Sequence, residues 1–336
     1  MQDEPTDGID PSEPTEPTSE PSAGAETEPS SEHSRRWRRH LVLALPTVTV
    51  LLAMGAYLAL RTEEPPVTTT TTTSTSTTTS TTTTTIPVLP SGTFEVATAR
   101  PEVTSLEVRA TAPEGWEDAP PSVRSEPYEL PPASQATAPE RPALPRLDYP
   151  IVGRDAIVGG WRFANPGPYE PSQPFTMLVS ERRGEWVKVH VPVRPNGSQG
   201  WVRRSQVDLG LTQHRIEVRL GERMLRAYDG ERELVATPVV IGAPSTPTPT
   251  GLFYLTDKVP QPNPGGAYGP VALATDGYSE AMDYFSTGVP VIALHGTNRP
   301  ELVGRAVANG CVRMPNEVVQ QLADVLPLGT PVLIWP

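Results

Sequence analysis

Residues 291–314 read V-I-A-L-H-G-T-N-R-P-E-L-V-G-R-A-V-A-N-G-C-V-R-M and carry the chain's single cysteine, Cys311, and the last of its five histidines, His295. Four apolar residues run into His295, a pattern that predicts a strand ending at the imidazole. The thiol follows sixteen positions later, after a loop. A thiol facing an imidazole across a loop provides a nucleophile and its base. We therefore expect a cysteine active site, in which the histidine lowers the pKa of the thiol below its usual value of about 8.5.

The residues around Cys311 favour a reactive thiol over a buried structural one. Gly310 allows close approach of the backbone, the amides of Gly310 and Cys311 can point at a developing oxyanion, and Arg313 supplies a fixed cation. A zinc site needs three or four Cys, His or carboxylate ligands. Residues 213–336 contain one cysteine and, apart from His214, only one histidine, His295. The sequence therefore predicts no metal centre.

Short apolar segments separated by turn residues fill residues 213–336 and predict a mainly β fold, a sandwich or barrel with one or two short helices. The predicted strands are 216–220, 224–228, 233–241, 251–255, 290–295 and 331–335. One helix is predicted after the cysteine, with Asn316 as its N-cap. Residues 260–288 show no clear period and are predicted to form a long loop, which is usually a functional lid or a disordered insertion.

The same region resembles the L,D-transpeptidases with a YkuD-type catalytic domain. H-G-T-N at 295–298 and N-G-C-V-R-M at 309–314 closely resemble the signature of that family, and T-P-T-P-T-G at 246–251 is similar to its upstream segment. The resemblance covers roughly residues 213–336. Many members have S-H-G-C at the nucleophile, where this chain has A-N-G-C. No role of that second histidine is therefore transferred to Asn309.

The resemblance implies acyl transfer on peptidoglycan stem peptides without a cofactor. Cys311 would attack the carbonyl of the third, diamino-acid residue of a tetrapeptide stem and release the terminal D-alanine. An amine of a neighbouring stem would then resolve the thioester and form a 3→3 cross-link. His295 would act as general acid and base, and the backbone carbonyl of Gly296 would orient its ring. The amides of Gly310 and Cys311 would form the oxyanion hole.

Three further residues are candidates for substrate binding: Arg313, Asn309 and Tyr268. Arg313 could bind a stem carboxylate, and a structural ion pair is an equally good interpretation of the same residue. The family is known for acylation by carbapenems. The resemblance therefore also implies that carbapenems inhibit this protein.

Other functions fit parts of the same pattern. An L,D-carboxypeptidase would let water resolve the acyl-enzyme. Sortases also use Cys, His and Arg in an extracellular β-barrel, but they place the histidine further from the cysteine and the arginine on a later strand. Papain-like wall hydrolases have the cysteine before the histidine, the reverse of the order here. A wall-binding protein with an inactive catalytic domain stays open because of Asn309.

Residues 147–212 predict a small β-barrel ahead of the catalytic domain. Residues 185–191 alternate between polar and apolar, and P-N-G at 195–197 separates them from G-W-V-R at 200–203. These two strands resemble bacterial SH3-like domains, which often bind cell-wall peptides, and a spacer packed on the catalytic domain is at least as good an interpretation. His190 lies on the polar side of its strand and is expected at the surface.

The chain before residue 147 is predicted to contain no folded domain. Residues 1–40 are predicted to form a disordered, acidic cytoplasmic tail with a basic flank. Residues 41–60 carry no charge and as a helix would span roughly 30 Å, the thickness of a bilayer core. The Thr- and Pro-rich residues 61–146 are predicted to be an extracytoplasmic linker. Four arginines before the apolar segment predict a single-pass membrane protein with its catalytic domain outside, at the cell wall.

A cleaved signal peptide is the alternative for residues 41–60, and the long leader and the lack of a small-x-small cleavage site disfavour it. The net charge of −12 arises mostly from residues 1–34, which hold ten acidic residues and no Lys or Arg, so the rest sums to −2. No basic face is visible that would follow a phosphate backbone, and nucleic acid is excluded as a partner.

Overall fold

The computed structural model describes residues 86–126, 128–134, 154–285 and 288–336, all within one compact unit. The predicted tail (1–40) and membrane segment (41–60) lie outside these ranges, as does part of the predicted linker. Among the described residues, no helix has both the length and the hydropathy of a membrane span.

The described residues are mainly β, as predicted, with two eight-stranded sheets, two two-stranded sheets and one α-helix. The strands of the N-terminal part are β1 (Val88–Leu89), β2 (Phe94–Ala99), β3 (Ser105–Arg109), β4 (Arg124–Ser125), β5 (Arg154–Ile157), β6 (Gly160–Ala164), β7 (Thr176–Arg183), β8 (Trp186–His190), β9 (Gln199–Arg203) and β10 (Val207–Thr212). We call this part, up to residue 212, the N-terminal domain.

The C-terminal domain follows from residue 213. Its strands are β11 (His214–Arg219), β12 (Met224–Asp229), β13 (Arg232–Pro238), β14 (Ile241–Gly242), β15 (Gly251–Pro260), β16 (Val271–Tyr278), β17 (Val291–His295), β18 (Ala306–Ala308), β19 (Val312–Arg313) and β20 (Pro331–Trp335). The helix α1 spans Asn316–Val325, and 3₁₀ turns span Arg204–Gln206 and Pro300–Leu302.

The N-terminal sheet corrects the predicted linker. Its strand order is β10-β2-β7-β8-β9-β3-β6-β5, so β2 and β3 lie inside the sheet although both were assigned to the linker 61–146. Alternate residues of these strands are buried, which is the pattern of a half-exposed sheet. The linker prediction is therefore wrong for the described residues from 86 onward, and a barrel of 147–212 alone would lack two of its strands. The alternation in β2 and β3 is short and lies in Pro-rich surroundings, so the sequence did not indicate these strands.

The C-terminal sheet has the order β13-β12-β11-β20-β15-β16-β17-β19 and contains the predicted strands. The predicted strand 233–241 is two elements, β13 and β14. The predicted long loop 260–288 is wrong, because β16 lies within it and pairs with both β15 and β17. Seven of the eight residues of β16 are buried, so the strand has no alternation that could reveal it in the sequence.

Strand β15 joins the two domains. Phe253 and Leu255 belong to the core of the C-terminal domain, whereas Tyr254 and Leu252 pack into the core of the N-terminal domain. Successive side chains of a strand point to opposite faces, so one strand can serve both cores. The Tyr254 hydroxyl also donates to the carbonyl of His190 at 3.2 Å. The N-terminal domain therefore packs directly against the strands that lead to the candidate site.

Candidate active site

His295 is the last residue of β17 and is buried. Its Nδ1 lies 2.7 Å from the carbonyl oxygen of Gly296. A carbonyl can only accept a hydrogen bond, so this contact assigns the proton to Nδ1 and leaves Nε2 unprotonated. The imidazole is therefore held in the tautomer that can accept a proton from a neighbouring thiol.

Gly296 is itself fixed by its neighbours. Its N–H donates to the carbonyl of Tyr268 at 2.9 Å, and the ring of Tyr268 lies 4.7 Å from the imidazole of His295, centroid to centroid. A side chain at Gly296 would collide with the amide oxygen of Asn316 and with the backbone of Gly269. Only glycine fits at this close approach of three chain segments.

Asn316 is not the N-cap of the helix, as predicted, but contacts the loop after β17. Pro315 occupies the N-cap position of α1, and no side chain caps the helix. The amide oxygen of Asn316 instead accepts the N–H of Thr297 at 2.8 Å. The first residue of α1 therefore holds the loop that follows His295.

Cys311 lies between β18 and β19. Strand β19 runs parallel to β17, with Val312 beside Leu294 and Arg313 beside His295. The sulfur of Cys311 lies 3.8 Å from the carbonyl oxygen of Val291, to which it donates, and the backbone amide of Ala293 also bonds to it. The sulfur is therefore held against the strand that ends in the imidazole.

Gly310 precedes the thiol with a backbone φ of +108°, in a region that L-residues rarely adopt. A side chain there would approach the end of Ile292 to 2.9 Å. Glycine at this position lets the chain turn, so that Cys311 leads directly into β19. Asn309, just before it, is exposed.

Burial sets the charge state of the two candidate catalytic groups. It lowers the pKa of His295 to about 4; the Gly296 carbonyl opposes this shift and the charge of Arg313 adds to it. Burial also raises the pKa of the Cys311 thiol, against the Ala293 amide and Arg313. The expectation of a lowered thiol pKa is therefore wrong, because desolvation outweighs the nearby favourable groups. At neutral pH the pair is an uncharged thiol and an uncharged imidazole.

Arg313 is held by its backbone, which exchanges two hydrogen bonds with Val240, of 2.8 and 2.9 Å. Its side-chain Nε is buried and has no hydrogen-bond partner in the part of the chain that the structure describes. Among the described residues no carboxylate forms an ion pair with it. A cation without a protein partner is available for an anionic group of a ligand.

The T-P-T-P-T-G segment supports the cysteine loop. The hydroxyl of Thr246 donates to the carbonyl of Ala308 at 3.0 Å, and the hydroxyl of Thr248 accepts the N–H of Gly242 at 2.9 Å. The N–H of Ala243 also donates to the carbonyl of Ala308. The sequence alone gives this segment no role, since only the tertiary fold brings it beside the cysteine loop.

A cavity of about 730 Å³ lies elsewhere, between the N-terminal domain and the start of β15. Its lining includes Tyr128, His190 and Glu280 but neither Cys311 nor His295. His190 is half-buried rather than at the surface as predicted, and burial lowers its pKa to about 4. The cavity is separate from the candidate reaction centre.

A buried lone thiol, a carbonyl-oriented imidazole on the adjacent strand and a glycine-shaped turn are the parts that a cysteine-dependent acyl-transfer site needs. Residues 213–334 match the model of the YkuD family, described as the L,D-transpeptidase catalytic domain. The chain therefore carries a catalytic domain of the YkuD L,D-transpeptidase family.

Curated relatives agree with this assignment. The chain is 38% identical over 123 residues to the YkuD protein of Bacillus licheniformis, which carries the name L,D-transpeptidase, covering 37% of this chain and 66% of that protein. It is 36% identical over 121 residues to YkuD of Bacillus subtilis, covering 36% of this chain and 65% of the relative. The match thus spans just under two thirds of each relative's length.

Solved structures of the same class are also similar. The catalytic domain of an E. faecium L,D-transpeptidase is 27% identical, covers 36% of this chain and 96% of that chain, and has a TM-score of 0.27. An L,D-transpeptidase from Mycobacterium smegmatis is 13% identical, covers 45% of this chain and 91% of that chain, and has a TM-score of 0.31. The family assignment rests on the sequence matches.

Proposed function

We propose that the protein is a peptidoglycan L,D-transpeptidase that forms 3→3 cross-links through a thioester on Cys311. The observation that carries the proposal is the bond between Nδ1 of His295 and the Gly296 carbonyl, on the strand against which the Cys311 sulfur lies. This bond leaves Nε2 as the free base, on the same strand that the sulfur contacts. The family assignment supports the same reaction class.

In the acylation step, the sulfur of Cys311 attacks the carbonyl carbon at the third residue of the donor stem, and the thiol proton passes to Nε2 of His295. A carbon–sulfur bond forms and the carbonyl becomes an oxyanion. As the oxyanion collapses, the bond to the terminal D-alanine breaks and the imidazolium donates its proton to the departing amine. An uncharged thiol and an uncharged imidazole in the resting protein suit this order of steps, because the base must be unprotonated when the thiol reacts.

The oxyanion would be bound by the amides of Gly310 and Cys311, at the turn whose geometry requires glycine. Arg313 would bind a carboxylate of the stem, since its buried Nε has no protein partner. Tyr268 packs on the imidazole and would form one wall of the substrate site. Asn309, which is exposed two residues before Cys311, would also contact the substrate.

In the second step, the side-chain amine of a neighbouring stem attacks the thioester. His295 takes the proton of this amine, the carbon–sulfur bond breaks, and the proton returns to the sulfur. Water in place of the amine would give a shortened, uncrosslinked stem, the product of an L,D-carboxypeptidase. The four-membered lactam of a carbapenem would acylate Cys311 by the first step and block the second.

We also propose that the catalytic domain acts outside the membrane, in the cell wall, with residues 41–60 as a single-pass anchor and the N-terminus in the cytoplasm. The uncharged segment and the arginines before it support this arrangement. Labelling of Cys311 in intact cells by a membrane-impermeant maleimide would test it, and absence of labelling beside full labelling after lysis would contradict it.

The reaction is tested with the full-length protein in detergent and a disaccharide-tetrapeptide, with the products weighed by mass spectrometry. A dimer that lacks one alanine is expected, and Cys311→Ala should form none. A monomeric tripeptide alone would replace the transpeptidase by a carboxypeptidase. Absence of both products and of a carbapenem adduct would contradict the enzymatic proposal and favour a wall-binding role.

A further inference from the structure

A loop of the N-terminal domain, residues 192–196, binds the last residue of β16, Tyr278. Tyr278 is buried, and each of its polar groups bonds to this loop. Its N–H donates to the amide oxygen of Asn196 at 2.8 Å, its carbonyl accepts from the amide nitrogen of Asn196 at 2.9 Å, and its hydroxyl donates to the carbonyl of Pro192 at 2.6 Å. Tyr278 is thus fixed by the other domain rather than only by its own sheet.

The same loop holds the residues that follow. The guanidinium of Arg194 donates to the carbonyls of Ser279 and Met282 at 3.2 and 3.0 Å and lies 5.6 Å from the ring centroid of Tyr278. The amide nitrogen of Asn196 also donates to the carboxylate of Glu280 at 3.1 Å. We call Arg194 and Asn196 the clamp, and residues 278–282 the clamped segment.

The clamped segment borders the candidate catalytic residues. Tyr278 is the register partner of Val291, whose carbonyl accepts the thiol of Cys311. The N–H of Ser279 donates to the carbonyl of Pro290 at 2.8 Å. The Ser279 hydroxyl lies 4.0 Å from the point that a side chain at Gly310 would occupy. One contact therefore separates the segment from both the sulfur and the expected oxyanion hole.

The clamp acts where the sheet itself is irregular. The register between β16 and β17 shifts between Ala274 and Tyr278, so regular strand pairing is interrupted just before the last residue of β16. The side-chain amide of Asn196 bonds both backbone groups of Tyr278, as a neighbouring strand would. The buried Arg154 secures the base of the loop through the carbonyl of Pro192 at 3.2 Å and the hydroxyl of Tyr278 at 3.0 Å.

We propose that Arg194 and Asn196 are positioning residues for the reaction at Cys311, so that the N-terminal domain is a working part of the catalytic centre. The clamp keeps the clamped segment packed beside the cysteine loop, which holds the thiol in its buried position and fixes one side of the donor-stem site. The role in turnover rests on the proposed transpeptidase function, whereas the role in shielding the thiol does not.

The test uses the full-length protein and four variants. Arg194→Met and Asn196→Ala remove the clamp bonds, and Arg194→Lys keeps a cation and a donor. Val187→Ala is the matched control, because Val187 is fully buried in the core of the same domain but lies outside the clamp. Two rates are measured on the folded proteins: alkylation of Cys311, the only thiol, by iodoacetamide, and turnover of a disaccharide-tetrapeptide.

Loss of the clamp should uncover the thiol and misplace the reacting groups. We expect Arg194→Met and Asn196→Ala to be alkylated about tenfold faster, through easier local opening, and to lose about tenfold or more in kcat/KM, as misplaced reacting groups do. Arg194→Lys should recover part of both changes. Val187→Ala should lower the melting temperature while both rates stay within about twofold of the parent, since its cavity is remote from the site.

Unchanged alkylation and turnover in the folded clamp variants would overturn the proposal, as would equal changes in Val187→Ala. If no variant and no parent protein turned over the stem peptide but the alkylation contrast held, the transpeptidase function would fail while the positioning of the thiol by the clamp stood. The two failures are therefore distinguishable.

Discussion

Cys311 shows how far the environment of one side chain departs from what its neighbours in sequence indicate. Motif and spacing predict a thiol made acidic by an adjacent imidazole. The fold instead buries the sulfur against the backbone of β17, and burial raises its pKa. Reactivity must then come from proton transfer during attack rather than from a standing thiolate.

This charge state predicts the pH dependence of alkylation. Iodoacetamide reacts with the thiolate, so the rate at Cys311 should rise with a midpoint above the usual thiol pKa of about 8.5. Because the chain has one cysteine, the mass of the whole protein reports the rate without digestion. The urea-unfolded protein is the control and should show the usual midpoint. A plateau already reached at acidic pH would indicate a thiolate–imidazolium pair instead.

Gly310 allows a second prediction at the scale of a residue. Gly310→Ala would place a β-carbon on a φ of +108° and against Ile292. Strain of this kind costs about 1–3 kcal/mol, so we expect a lower melting temperature and at least about a tenfold loss in the carbapenem acylation rate, because the oxyanion donors shift.

Gly304→Ala is the matched control. Gly304 also has a positive φ, +85°, but nothing lies within 4 Å of an added β-carbon. The Gly304→Ala variant should be destabilised by a similar backbone strain but should keep the acylation rate of the parent protein. Equal losses of acylation in the two variants would show that general strain, and not the geometry of the nucleophile turn, is responsible.

At the scale of the element, the start of α1 fixes the loop after β17. The amide oxygen of Asn316 accepts the N–H of Thr297, and this loop begins with the carbonyl that orients the imidazole. We expect Asn316→Ala to lower the acylation rate about tenfold, since losing a partly buried hydrogen bond costs about 1–2 kcal/mol. Asn316→Asp keeps the acceptor and suits a helix N-terminus, so it should stay near the parent rate.

Stopped-flow measurement of acylation by a carbapenem, with melting temperatures for all three proteins, checks this expectation. If Asn316→Asp lost as much activity as Asn316→Ala while both remained folded, the acceptor role of the side chain would be wrong. If neither lost activity, the loop would be held by its other contacts, such as the bond from the N–H of Gly296 to the carbonyl of Tyr268 at 2.9 Å.

Strands with a clear pattern of apolar residues could be predicted from the sequence. Strands that form only through pairing with distant segments could not. The apolar run into His295 and the alternation of β8 are visible in the sequence. Strand β16 is buried on both faces and gives no alternation, and β2 and β3 are short segments in Pro-rich surroundings. Residues such as Asn316 and Asn196 act only through partners far away in the chain. The sequence therefore identifies the candidate reacting groups but not the residues that hold them.

At the scale of the whole molecule, the two domains share buried polar groups as well as β15. The carboxyl of Asp276 is buried and accepts the N–H of Tyr254 at 2.9 Å, the residue whose side chain enters the core of the N-terminal domain. Asp257 lies 3.8 Å from the buried Arg154, and burial raises the pKa of Asp257 despite that cation. The packing of the domains should therefore respond to pH.

Asp276 predicts the direction of this response. Burial raises its pKa to about 8, against the amide of Tyr254 and the charge of Arg154, whereas the unfolded value is about 3.9. The unfolded chain thus releases a proton that the folded protein keeps. The stability that Asp276 contributes is complete below about pH 4 and is lost as the pH rises through about 8. His190 and His295, whose pKa values are lowered to about 4, act oppositely and lose stability as the pH falls.

Asp276→Asn separates these contributions, because its amide stays uncharged and its oxygen can still accept the N–H of Tyr254. We expect the variant to gain stability over the parent as the pH rises from 5 to 8, by an amount on the order of a few kcal/mol at the upper end. Calorimetric melting temperatures of both proteins across this pH range measure the difference in their stability. The contributions of His190 and His295 are the same in both proteins and cancel in this difference. Parallel curves would mean that Asp276 is ionised in the folded protein, with the amide of Tyr254 and the charge of Arg154 outweighing the effect of burial.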